Sequence, residues 1–86
     1  MTSRCHISTL ELPRCEMKGR DAESLARVLA QCKALAHLNL RYNEIRENGA
    51  VSLAGVLAQC AALVHLNLGH NQIGAAGAER LAGVLS

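Results

Sequence analysis

Two histidines have the clearest claim to chemistry. His37 and His65 stand 28 positions apart in near-identical surroundings, with His70 and Glu44 not far along the chain. Neutral imidazole is a good zinc ligand, so a pair on neighbouring strands could start a metal site. Catalytic zinc needs three protein ligands in fixed geometry, however, and duplication alone accounts for a pair. Cys5, His6 and Cys15 are a second, scattered set of ligand types, and the chain contains no Cys-x-x-Cys. We therefore expect no metal and no cofactor. Nucleophile and phosphate motifs are absent too: there is no G-x-S-x-G, no H-E-x-x-H and no G-x-x-x-x-G-K-[ST]. Gly74, Ala75, Ala76 and Gly77 resemble a glycine loop, but the spacing makes them a strand-to-helix connection. The matching Arg46, Glu47, Asn48 and Gly49 could not cradle a phosphate. The expectation is a protein that is not an enzyme.

The elements that would position these residues are constrained by composition. The chain has 86 residues, half of them hydrophobic, and Tyr42 is its one aromatic residue. A core must be assembled from Leu, Ala, Val and Ile, which favours several thin, similar layers over one bulky centre. With 19% charged residues and a net charge of +2, nothing suggests disorder or binding of nucleic acid by bulk charge. Glu23, Arg27, Glu79 and Arg80 read as a solvated helix surface of mixed sign. The apolar runs fall short of the ~20 residues a membrane helix requires. The opening residues show no apolar h-region, so reduced thiols and a cytoplasmic location are expected. Cys32 and Cys60 sit in the same Ala-Gln-Cys context, which is repetition and not a disulfide framework.

A shift of 28 residues lays the chain on itself. Leu35, Leu38, Leu40, Asn43 and Ile45 fall on Leu63, Leu66, Leu68, Asn71 and Ile73. Gly49, Ala50, Leu53, Ala54 and Leu57 fall on Gly77, Ala78, Leu81, Ala82 and Leu85. A weaker first copy holds Ile7, Leu10, Leu12, Cys15 and Met17, then Ala22, Leu25, Ala26 and Leu29. One domain over 1–86 follows, with a leader at 1–6 and units at 7–34, 35–62 and 63–86, the last truncated. Within each unit the hydrophobic period changes. Leu38 and Leu40 flank Asn39 as in a short strand with one face inward. Ala50, Leu53, Ala54 and Leu57 form the stripe of an amphipathic helix. Strand followed by helix, repeated, predicts parallel strands joined by right-handed crossovers.

These segments match L-x-x-L-x-L-x-x-N/C-x-L, and the chain resembles a leucine-rich repeat protein over residues 7–86. The 28-residue period and the N-x-I-x-x-x-G-A-x-x-L-A half resemble the ribonuclease-inhibitor-like class, which includes the repeat regions of NOD-like receptors and Ran GTPase-activating proteins. The resemblance implies an α/β solenoid with a short parallel sheet on a concave face and helices on the convex face. It also implies that Asn43 and Asn71 form an internal ladder satisfying backbone groups. The first unit departs from the pattern, with Pro13 where Arg41 and Gly69 stand and Cys15 in place of the Asn.

On each strand the residues between leucines should point away from the core: Thr9, Glu11 and Pro13, then His37, Asn39 and Arg41, then His65, Asn67 and Gly69. Arg14, Tyr42 and His70 follow just past the strands, and then Glu16, Glu44 and Gln72. The resemblance implies that such rows meet a protein partner. We take His37, Asn39, Arg41, Tyr42, Glu44, His65, Asn67, His70 and Gln72 as the candidate protein-binding residues. Tyr and Arg are types enriched in binding hot spots. The alternative is a structural or assembly unit, or a fragment of a longer repeat protein, that associates with copies of itself through uncapped ends, since open strand edges template pairing. No membrane and no nucleic-acid partner is expected.

Overall fold

The computed structural model describes residues 6–85, and side chains as far as Leu81. Most of the leader and Ser86 lie outside the described residues. Six elements alternate along the chain: β1 (Thr9–Glu11), α1 (Gly19–Leu29), β2 (His37–Asn39), α2 (Arg46–Leu57), β3 (His65–Asn67) and α3 (Gly74–Leu85). The strands form one parallel sheet in the order β1-β2-β3. Register follows the repeat: Leu10 pairs with Leu38 and Leu38 with Leu66.

Each strand is three residues long because the unit needs only one inward leucine flanked by two outward residues. Leu38 is buried and His37 and Asn39 are half-buried. The core lies between sheet and helices. Leu35, Leu38, Leu40 and Ile45 meet Ala22, Ala26 and Leu29 of α1 and Ala50, Leu53, Ala54 and Leu57 of α2. The predicted stripe on α2 is thus buried at all four positions. Helices α1 and α2 return through the same turn. The Cys32 N–H donates to the Leu29 carbonyl and Leu35 N–H to that of Cys32, and Cys60 and Leu63 repeat both bonds. Strands pack ~4.8 Å apart and helices 8–10 Å apart. Stacked β-α units therefore curve with the sheet on the inside.

The turns between strand and helix are held by the two buried asparagines. Asn43 Oδ1 accepts the N–H groups of Cys15 and Met17, both at 2.9 Å. Its Nδ2 donates to the carbonyls of Leu12 and Leu40, also at 2.9 Å. Asn71 Nδ2 donates to Leu40 at 2.8 Å and Leu68 at 3.0 Å, while its Oδ1 accepts from Ile45 N–H at 3.3 Å. Each amide thereby ties its own unit to the preceding one, as expected of a ladder.

Two expectations need correction. Residues 46–49 and 74–77 are not connections; they form the first turns of α2 and α3. Gly49 and Gly77 serve close packing one turn into each helix. A Cβ on Gly49 would lie 2.6 Å from Ile45 Cγ2 and 3.0 Å from the Ala22 Cβ. The thiols are not uniformly reduced either: Cys15 and Cys60 are free, and Cys32 is disulfide-bonded.

Candidate functional site

The sheet face turned away from the helices carries two rows set by strand register. Thr9, His37 and His65 make one; Glu11, Asn39 and Asn67 make the other. The imidazoles of His37 and His65 meet edge to face, with ring centroids 4.7 Å apart and planes 63° apart. His37 Nδ1 is buried without a hydrogen-bond partner among the described residues. His37 and His65 of the first row and all three residues of the second line an open groove. The second row also does structural work. Asn39 Oδ1 accepts the Arg41 N–H and Asn67 Oδ1 the Gly69 N–H, each at 3.0 Å. Such Asx turns bend the chain out of the strand.

Beyond the strands the backbone passes through a left-handed residue in every unit: Arg14 at φ 56°, Tyr42 at 58° and His70 at 56°. Because these positions repeat, their side chains stack. His70 lies parallel to the Tyr42 ring, with centroids 4.3 Å apart and an interplanar angle of 7°. The Arg14 guanidinium carbon sits 4.2 Å from the Tyr42 centroid, and that of Arg41 sits 4.9 Å from it. Tyr42 remains 37% exposed, enough for contact with a partner. A guanidinium over a tyrosine is attracted by the ring quadrupole, by roughly 0.5–1 kcal/mol at exposed sites.

The structure gathers seven of the nine candidate residues into these two zones, His37, Asn39, His65 and Asn67 on the sheet face, Arg41, Tyr42 and His70 at its rim. Glu44 stands apart from the column, bridged to Lys18 in a parallel pairing and 3.9 Å from the exposed Arg46 guanidinium. Gln72 joins neither zone. Arg14 was not among the nine, although the 28-residue shift places it beside Tyr42 and His70. What spacing could not show was the left-handed turn that aims all three side chains into one column.

No three His, Cys, Asp or Glu residues among the described residues are grouped to hold a metal ion. Cys5, of the second ligand set considered, lies outside them. Burial pushes the Cys60 thiol above its ordinary range, an effect partly offset by the Lys33 ammonium. Such a thiol is a poor nucleophile and acts as a small core side chain. No helix among the described residues is long and apolar enough to cross a membrane.

Comparison with known proteins is consistent with this geometry. No curated protein matches the chain. The family model described as "Leucine Rich repeat" matches twice, over residues 31–54 and 59–82. Each match runs from the turn after one helix, through a strand and its asparagine turn, into the next helix. The divergent first unit falls outside both as far as residue 30. Repeats covering more than half of the chain, stacked as strand and helix in shared register, settle the family: this chain belongs to the leucine-rich repeat proteins.

Proposed function

We propose that this chain is a non-enzymatic protein-binding module that meets its partner with the inner sheet face and the turns at its rim. Leucine-rich repeat domains generally bind other proteins. The observation that carries the reading here is that matching side chains of successive units form continuous rows on a face that no helix covers. The 28-residue period supports placement in the ribonuclease-inhibitor-like class, whose repeats present such a face. Peptide-display selection against the immobilised chain tests the proposal. Selected peptides should lose about tenfold or more in affinity for a variant combining Arg41→Ala, Tyr42→Ala and His70→Ala, with its assembly state unchanged. Affinity that survives this variant and falls instead with Glu23→Ala and Arg27→Ala on α1 would reassign binding to the helical side.

A second reading is favoured by one observation. Leu35, Leu38, Leu40 and Ile45 are buried, whereas their counterparts Leu63, Leu66, Leu68 and Ile73 are only partly so, and Val64 is 70% exposed. That apolar face can take up another leucine-rich unit, and a second copy of the chain could supply one. Light scattering should then show mass rising with concentration, and Leu66→Lys should abolish the rise. A monomer at all concentrations contradicts self-association and leaves the first reading untouched.

A further inference from the structure

We propose that the Arg14, Tyr42 and His70 column, with Arg41 beside it, anchors aspartate or glutamate side chains of a protein partner. The inference rests on the protein-binding reading and names the chemistry that this part of the surface takes. Both guanidiniums lie against one tyrosine ring, at 4.2 and 4.9 Å from its centroid. Stacking occupies the flat face of a guanidinium and leaves its N–H edge available, the edge that binds a carboxylate in bidentate fashion. Neither Arg14 nor Arg41 has a carboxylate partner among the described residues; the ion pair there is Arg46 with Glu44. Because the ring already holds them, less side-chain freedom is lost when an acid arrives. The three column positions are left-handed, a region that favours glycine or asparagine, yet they carry Arg, Tyr and His.

Stacked aromatics with arginines also suit single-stranded nucleic acid, but a base needs an open ring face. Here Tyr42 is flanked from neighbouring units by Arg14 and His70.

The test is a low-salt titration of the chain with the synthetic peptide (Gly-Glu)4, its (Gly-Gln)4 counterpart and the oligonucleotide dT8, followed by NMR of the arginine Nε–H and tyrosine ring signals. Arg14, Arg41 and Tyr42 signals should move with the Glu peptide and not with the Gln peptide. Arg14→Gln and Arg41→Gln should each weaken binding about fivefold or more, with the folded state retained by circular dichroism, while Arg27→Gln on α1 should not weaken binding. Arginine signals that stay still, an equal loss in Arg27→Gln, or tighter binding of dT8 would each overturn the proposal. If peptide shifts appear at His37 and His65 alone, the acidic anchor falls while the protein-binding reading stands.

Discussion

Asn71 shows what a single side chain does in a stacked fold. Its amide is 1% exposed and reaches carbonyls of two successive units, Leu40 at 2.8 Å and Leu68 at 3.0 Å. Removing it strands buried acceptors, and an unsatisfied buried group costs about 1–3 kcal/mol. Asn71→Ala should lower the urea-unfolding free energy by that amount; an unchanged midpoint would contradict the ladder. This residue was legible in the sequence because a polar side chain recurring among leucines must find partners. Asn39 and Asn67 were read only as partner-facing residues. Their Oδ1 atoms in fact hold the exits of β2 and β3, a role that a two-residue spacing to a backbone N–H conceals. His37 and His65 were legible as neighbours, since a shared register follows from a shared repeat position, although their edge-to-face tilt was not.

Between elements, glycine separates packing from propensity. The missing Cβ of Gly49 lets α2 close on α1 at Ala22, whereas a Cβ on Gly55, in the same helix, would meet nothing within 4 Å. Gly49→Ala should therefore destabilise by about 1–3 kcal/mol through overpacking. Gly55→Ala should stabilise by about 0.5–1 kcal/mol, because alanine loses less backbone entropy in a helix. Urea titrations of both variants check the pair, and equal effects would mean that the contacts at Ile45 and Ala22 yield freely. Hydrophobic period located all three strands and the buried stripe of α2. It placed the starts of α2 and α3 too late, since glycine ordinarily punctuates loops and Gly49 and Gly77 here lie inside helices. A two-state alternation or a 3.6-residue stripe is written in one element's own residues. The close approach of the isoleucine before the helix and of a neighbouring helix is not, and this is why the glycines were misread.

At the scale of the molecule, stability in a repeat protein is a sum of unit terms and nearest-neighbour terms, so a unit with two neighbours is held better than a unit with one. Burial follows that rule. Leu38 and Leu40 of the middle unit are 1% and 0% exposed, and Leu10, Leu12, Leu66 and Leu68 on either side are only partly buried. Backbone bonding follows it as well. The Leu12 N–H donates to the Asn39 carbonyl at 2.9 Å and the Leu40 N–H to the Asn67 carbonyl at 2.8 Å. The corresponding Leu68 N–H has no backbone acceptor among the described residues. On the isolated 86-residue chain, local opening should therefore begin in the third unit, whose turn lacks this backbone bond, and reach the second last. Hydrogen exchange on the monomeric chain should find the Leu40 amide slower than that of Leu68 by about tenfold or more, with Leu12 between them. Equal protection at all three would mean that the chain opens as one cooperative block. The column at the rim draws one member from each unit. A graded opening would then release His70 before Arg14 and Tyr42 part, leaving both arginines on the tyrosine ring while the third turn frays.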